Sequence, residues 1–328
     1  MNIEPIIIIA GEPYSVFLEL LFKTYKSRMF KKYNKPLILI ASEKLVLKQM
    51  KKLGYSYKIN LINKNIKKNK NLNNKKINLI NVDFKFSETF DKISHKSSKY
   101  IQECFDIGLN LVKKNKNYVL LNGPISKKSF LKKKYLGVTE YVSKKTNSKN
   151  KEVMLIYNSN LAVSPITTHL PIKHVTKNIT KKKIIQKIKI INDFYKKILR
   201  KKIRFAVCGL NPHCETNDQF NEDEKIIKPA IKILREKKVN VKGPFSADTI
   251  FLKKNIKNYD VIIGMYHDQV LTPIKTLFGF NAINITLGLP FIRMSPDHGP
   301  NNQMLGKNFS DPTSLIECLL FIKKNCGN

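Results

Sequence analysis

Two stretches near the C-terminal end, Gly264 to Lys275 (GMYHDQVLTPIK) and Asn284 to Gly299 (NITLGLPFIRMSPDHG), gather His267, Asp268, Lys275, Asn284, Arg293, Asp297 and His298. Imidazoles and carboxylates bind metals or move protons, whereas Lys, Asn and Arg suit phosphates and carboxylates. His169 and His213, like His267, lie just beyond apolar runs. In a parallel sheet, strand ends and the loops after them form the ligand crevice. Three imidazoles brought together there could hold Zn²⁺ or a similar divalent ion and leave a position open for substrate. Their separation gives no compact metal motif, so spacing alone leaves open that they are three ordinary polar residues in loops.

The elements that would position these groups are legible as apolar runs. Ile6 to Ala10, Pro36 to Ile40, Tyr118 to Leu121, Val153 to Tyr157, Arg204 to Val207, Val261 to Gly264 and Ala282 to Thr286 are mostly too short for helices and are rich in Ile, Val and Leu. They are expected as buried strands. Helical patterns lie between them. Thr180 can cap a helix whose apolar positions are Ile184, Ile185, Ile188, Ile191, Tyr195, Ile198 and Leu199, with lysines on the other face. Asn221 with Glu224 reads as a variant capping box entering a helix interrupted at Pro229. Strands alternating with helices predict an α/β fold with a largely parallel sheet. Asn60 to Lys76, dominated by Asn and Lys, is expected as a mobile surface loop. No internal repeat is evident, and no G-x-G-x-x-G follows a strand.

At 328 residues and 42% hydrophobic content the chain can bury a sizeable core in one large or two ordinary domains. No apolar run approaches the length of a membrane span, and the first residues lack the pattern of a secretory signal, so a cytoplasmic location is expected. Five cysteines at 104, 208, 214, 318 and 326 form no C-x-x-C pair and fit free thiols in a reducing compartment. The net charge of +37 raises the possibility of nucleic-acid or anionic-membrane binding. The lysines are spread along the chain, however, and no nucleic-acid-binding signature accompanies them. The expectation is therefore no specific nucleic acid and no membrane, with a positive field that attracts phosphorylated anions.

Several segments together resemble the 4-hydroxythreonine-4-phosphate dehydrogenase family of pyridoxal phosphate (vitamin B6) biosynthesis. Besides the two stretches above, they are NGPISK (Asn122 to Lys127), GVTEY (Gly137 to Tyr141), TTHLPIKHV (Thr167 to Val175), CGLNPHCETNDQF (Cys208 to Phe220) and GPFSADTIF (Gly243 to Phe251). They occur in family order from about residue 118 to 300, while the first hundred residues match poorly.

The resemblance implies two α/β domains with an interdomain cleft, isocitrate/isopropylmalate dehydrogenase-like. The first would comprise 1–130 plus 300–328, on the cofactor side. The second, 131–299, would carry the metal and substrate residues and the contact of a homodimer, with the metal site near the subunit interface. It implies His169, His213 and His267 as metal ligands, for zinc first and magnesium or cobalt as alternatives. Thr139, Lys275, Asn284 and Arg293 would bind a small phosphorylated substrate, and Asp297 and His298 would meet NAD. Asp248 and Asp268 are the implied catalytic carboxylates, although Asp248 could equally cap a helix and Lys127 could be merely solvated. NAD binds this family without the standard fingerprint. The implied activity is NAD-dependent, metal-assisted oxidation of 4-phosphooxy-L-threonine to 2-amino-3-oxo-4-phosphooxybutanoate, which decarboxylates to 3-amino-2-oxopropyl phosphate. Two rivals stay open: a paralogous dehydrogenase for another phosphorylated four-carbon hydroxy acid, and a basic nucleic-acid-binding protein on an inactive enzyme fold. Two departures bear on the choice. Val138 stands where the family has a substrate-contacting histidine, and in GEPYSVFLE (Gly11 to Glu19) Ser15 and Phe17 replace glycines.

Overall fold

Four successive isoleucines, Ile6–Ile9, form the first strand, and none is more than 1% exposed. Burying each contributes roughly 1.5–3 kcal/mol, and a β-branched run with no polar alternation is what a strand covered on both faces requires. In the computed structural model, which describes residues 4–69, 72–115, 117–131, 134–279 and 281–326, the strands are β1 (Ile6–Ile9), β2 (Leu37–Ala41), β3 (Ile59–Leu61), β4 (Ile77–Asn81), β5 (Val119–Asn122), β6 (Val153–Tyr157), β7 (Ala162–Pro165), β8 (Phe205–Cys208), β9 (Val241–Phe245), β10 (Val261–Gly264), β11 (Ile283–Leu287) and β12 (Arg293–Pro296). All seven apolar runs are strands, with ends displaced by no more than one residue.

The chain divides into two compact units, Met1–Thr146 with Leu289–Asn328, and Asn147–Gly288. In the first, the strand order is β3-β4-β2-β1-β5-β12 and every pairing is parallel. In the second, the order is β11-β6-β7-β10-β8-β9. There β6 runs antiparallel to both neighbours, while β7, β10, β8 and β9 are parallel.

The division falls at 146/147 and 288/289, not at the expected 130/131 and 299/300. Packing gives the reason. Tyr141 and Val142, on the helix Val138–Lys145, join the core that holds Phe105 and Leu131, and β12 hydrogen-bonds alongside β5. Thr139 and Arg293 therefore belong to the first unit. Glu19 ties the C-terminal segment to that unit. Its Oε1 accepts from Ser310 N at 2.6 Å and lies 3.1 Å from Lys23 Nζ, which also donates to Asn308 and Ser310 carbonyls.

The helices follow their sequence signals. Thr180 caps Lys181–Lys197 by accepting from Lys183 N at 3.2 Å, and Ile184, Ile188 and Ile191 line its buried face. Asn221 Oδ1 accepts from Asp223 N and Glu224 N, as a capping side chain should. A π-helical turn, Asp223–Ile227, then precedes the helix Lys228–Glu236, and Pro229 sits in the first turn of that helix, where no donor is needed. Helix Ser98–Lys114 lies on β1, and Gly108 makes this possible: a Cβ there would meet Ile9 Cδ1 at 2.7 Å.

The Asn/Lys-rich segment departs from expectation. It is not a bare loop: it contains the end of β3 and a 3-10 turn, Ile66–Lys68, whose Ile66 is buried. Asparagine side chains knit it. Asn69 Nδ2 donates to Asn63 O at 3.0 Å, and Asn74 donates to Lys35 O at 2.7 Å while accepting from Leu37 N at 2.9 Å. Residues 70 and 71 of the segment lie outside the described residues. Among the described residues no helix is long and apolar enough to cross a membrane.

Candidate active site

Strands β7, β10 and β8 are neighbours and parallel, so the loops after them emerge at one end of the second unit. His169 follows β7, His267 follows β10 and His213 follows β8. Side chains brace these loops. Thr167 Oγ1 donates to Met265 O at 2.7 Å, joining the loop of His169 to that of His267. Gln269 Oε1 accepts from Met265 N at 2.7 Å, and its Nε2 donates to Gly209 O at 2.8 Å, joining the loop of His267 to that of His213.

The His169 and His267 rings have centroids 5.6 Å apart and are inclined by 40°. One ion bonded to two imidazoles at about 2.0–2.1 Å would place their centroids roughly 5 Å apart, close to this separation. His267 Nδ1 lies 2.6 Å from Asp268 Oδ1. With Nδ1 as the donor, the exposed carboxylate fixes the ring and leaves Nε2 to bind a ligand. His213 follows the neighbouring strand β8. It is exposed, in the turn Pro212–Cys214, with φ of 53°. Among the described residues no three His, Cys, Asp or Glu side chains lie close enough to hold a metal. His169 and His267 thus lie side by side, and His213 lies on the loop after the neighbouring strand β8.

Lys275 lies on the helix His267–Phe278 that His267 begins. It is half-buried, and burial lowers its ammonium below the usual lysine value. Asn284, on β11, keeps Oδ1 buried without a hydrogen-bond partner among the described residues, an acceptor that a ligand's donor could meet. Asp248 sits in the first turn of the helix Ala247–Ile250, exposed; Ser246, not Asp248, occupies the cap position.

In the first unit, Arg293 at the start of β12 is only 2% exposed. Its Nε donates to Asn122 Oδ1 at 2.8 Å and its Nη1 to Thr139 Oγ1 at 3.1 Å. Burial pushes its pKa down to about 10, with the Glu140 charge opposing, so it remains a cation at neutral pH. Two oxygens fix the planar guanidinium in one pose, as anion recognition requires. Val138, beside Thr139, packs partly buried against the core of this unit. Asp297 and His298 follow β12 and are half-buried, and Asp297 N donates to Ser314 Oγ at 2.8 Å. Lys127 is exposed.

The altered loop after β1 is closed by packing. Gly11, at φ 80°, has no room for a Cβ, which would lie 2.5 Å from Pro124 O. Phe17 is fully buried against Gly123, where a Cβ would meet its Cγ at 2.6 Å. A side chain therefore fills the space that a glycine would have opened. Glu12, 2% exposed, carries a pKa raised to about 7 by burial, with the Ser97 hydroxyl and the Tyr14 backbone offsetting part of that cost.

Four positioning residues were not singled out from sequence: Asn122, Thr167, Asp223 and Gln269. Asn122 carried a signal, a polar residue closing a buried strand. Asp223 carried none, since it stands in a run of acidic and polar residues yet is fully buried.

A unit with an all-parallel sheet and a unit with a mixed sheet are the architecture of the isocitrate-dehydrogenase type of fold. Isocitrate dehydrogenase from Methylococcus capsulatus superposes with a TM-score of 0.51 at 10% identity, over 98% of this chain and 85% of its own. A 4-hydroxythreonine-4-phosphate dehydrogenase from Klebsiella pneumoniae superposes far better, with a TM-score of 0.83 at 23% identity over 98% and 99% of the two chains. The family model for the pyridoxal phosphate biosynthetic protein PdxA matches residues 32–322. The 4-hydroxythreonine-4-phosphate dehydrogenase of Sulfurihydrogenibium sp. is 36% identical over 319 residues, 94% of each chain. The chain belongs to the PdxA family.

Proposed function

We propose that the chain is an NAD-dependent, metal-assisted 4-hydroxythreonine-4-phosphate dehydrogenase. It would oxidise 4-phosphooxy-L-threonine to 2-amino-3-oxo-4-phosphooxybutanoate, which then decarboxylates to 3-amino-2-oxopropyl phosphate. The observation that carries this reading is the His169–His267 pair with Asp268 on His267, in a chain 36% identical to a relative of that name along nearly its whole length.

When bound, a divalent ion supplies a Lewis acid that acidifies the substrate alcohol and stabilises negative charge on the product ketone, and NAD⁺ supplies the hydride acceptor. His169 and His267 would hold the ion, with His213 contributed by the next loop. Asp268 keeps the His267 ring in its ligating tautomer and is exposed enough to exchange a proton with solvent. Arg293, pinned by Asn122 and Thr139, and Lys275 are the cations assigned to the substrate's phosphate and carboxylate, and Asn284 offers an acceptor to its ammonium or hydroxyl group. Asp297 and His298 are assigned to the cofactor and Asp248 to proton transfer. A homodimer in a reducing, cytoplasmic setting belongs to the same reading. The unpaired state of all five cysteines supports the setting.

Val138 favours a second reading, a dehydrogenase for another phosphorylated four-carbon hydroxy acid, because valine cannot donate to an anion. One experiment separates the two. The purified protein is incubated with NAD⁺, Zn²⁺, Mg²⁺ or Co²⁺, and each candidate substrate, and NADH is followed by absorbance. Turnover with 4-phosphooxy-L-threonine well above the rest supports the first reading. NADH formed only with a different phosphorylated hydroxy acid replaces it with the second.

A further inference from the structure

We infer that Glu12 is a proton-operated latch in the first unit: uncharged, it lets the loops after β1, β4, β5 and β12 close on one another, and its ionisation releases them. The latch stands on burial and hydrogen bonds. Its bearing on the cofactor rests on the assignment of Asp297 and His298, which follow β12.

Strands β4, β2, β1, β5 and β12 are parallel neighbours, so the loops after them emerge at one end of the unit. The loop after β1 is bonded to three of the others. Glu12 N donates to Pro124 O at 2.9 Å, beyond β5, and Val16 N donates to Pro300 O at 3.2 Å, beyond β12. Gln49, on the helix Glu43–Lys52 and 1% exposed, donates its Nε2 to Pro13 O and to Thr89 O, both at 3.1 Å, which ties in the loop after β4. Within the loop, Ser15 Oγ donates to Glu12 O at 2.8 Å. Glu12 therefore stands where four strand-end loops meet, with its side chain sealed from water. Its backbone is engaged, but neither carboxylate oxygen has a hydrogen-bond partner among the described residues. The nearby Ser97 hydroxyl also serves Ser94 O at 3.0 Å. Among the described residues no cation compensates Glu12. The titratable groups of this hub are Tyr14 on the same loop, Tyr100 and Cys104 on helix Ser98–Lys114, and Glu88 and Asp91 after β4. The helix Glu43–Lys52 offers the neutral Gln49, and the loops after β5 and β12 offer the Pro124 and Pro300 carbonyls. A carboxylate in this setting costs far more than a carboxylic acid, and burial raises its pKa to about 7. Relief comes from letting the side chain reach water, which requires breaking the bonds that join the loop to its neighbours. Closure thus keeps a proton that the open hub releases. The latch is fully held below pH 4.5 and is lost as pH rises through about 7.

The test is hydrogen exchange of the full chain between pH 5 and pH 8, in wild type and Glu12→Gln. NMR reads the amides of Glu12, Val16 and Asp297 and, for reference, Ile7 and Ile8 inside β1. Dividing each wild-type rate by the Glu12→Gln rate at the same pH removes the intrinsic pH dependence of exchange. The three loop amides are expected to exchange faster than Ile7 and Ile8 at every pH, the mark of an opening separate from global unfolding. Their rate ratio is expected to rise by up to about 100-fold from pH 5 to pH 8. The same ratio at both pH values, or loop amides that exchange only at the rate of Ile7 and Ile8, would overturn the latch. Saturating NAD⁺ should slow exchange at Asp297 in both proteins. If it does not, the cofactor assignment falls, while the pH ratio still decides the latch. Should Glu12→Gln not fold, carbon-13 NMR of the Glu12 carboxyl in wild type takes its place: a midpoint near 7 sustains the latch, and one near 4.5 overturns it.

Discussion

The two units bury charge differently. In the second unit, Asp223 is fully buried, and three N–H donors from one loop fill its carboxylate. In the first, Glu12 is almost as deeply buried, but neither of its oxygens has a hydrogen-bond partner among the described residues. The first unit also buries Arg293, and there the donors are met, by Asn122 and Thr139. Desolvation sets the cost in all three cases, and the local supply of partners decides whether the charge survives. Arg293 is built to stay charged, and Asp223 and Arg293 each hold a partner in place. Glu12 is a buried acid that holds its proton up to about neutral pH. The functional groups differ in the same way. Arg293 is rigid and enclosed, whereas His169 and His213 stand in strand-end loops and turns and His267 opens a helix, all braced chiefly through their neighbours.

The sharpest way to break this comparison is His267→Ala. If the histidine loops are the chemical end of the molecule, turnover should fall on the order of 10³-fold or more. Circular dichroism and melting should stay near wild type, because the ring is only half-buried. An active His267→Ala enzyme would end the metal reading.

Arg293→Ala should do both kinds of damage. Loss of a charge-assisted contact predicts a fall of about 100-fold in kcat/KM, and the emptied volume with two stranded acceptors predicts a loss of roughly 2–4 kcal/mol in unfolding free energy. Steady-state kinetics and urea unfolding measure the two separately. A variant with normal stability and normal KM would mean that Asn122 and Thr139 are not holding a functional group.

Glu12→Gln sharpens the contrast by pH. The folded-state pKa is raised from 4.5 to about 7 by burial. The folded protein therefore keeps a proton that the unfolded chain has released between those values. The stability from that proton is fully present below pH 4.5 and is lost as pH rises through about 7. A gap of this size corresponds to about 3 kcal/mol. Glu12→Gln, neutral at every pH, should exceed wild type by up to that amount at pH 8 and by almost nothing at pH 4. Urea midpoints that shift equally at both pH values would show that Glu12 is not carrying a buried charge at pH 8.

Val138→His is the smallest change. A regained donor to the substrate anion should lower KM by about one power of ten, with less effect on NAD⁺. Val138 packs against the core of its unit, so part of the gain will be offset by lost apolar contact, visible as a lower melting temperature. An unchanged or higher KM would favour the rival substrate.

The seven apolar runs were readable as strands because burial on both faces demands continuous Ile, Val and Leu. The strands that escaped notice lacked that signal. β3 is three residues long, β4 is interrupted by Asn78, β9 contains Gly243 and Pro244, β7 ends in Pro165, and β12 reads Arg-Met-Ser-Pro. Their pairing comes from partners far away in sequence. The Asn/Lys-rich segment misled for a related reason: asparagine looks solvated in sequence, yet Asn69 and Asn74 bond backbone across several turns. Residue types at ordered motifs determined the family, the α/β class, the helix capped by Thr180 and the identity of the groups able to do chemistry. The tertiary structure alone decided that Thr139 and Arg293 share a unit, that His169 and His267 face each other while His213 stands on the next loop, and that Asp223 is buried although an acidic neighbour is exposed. Each of those outcomes depends on strand order and on which side chain finds a partner after the chain closes on itself, and neither is a property of adjacent residues.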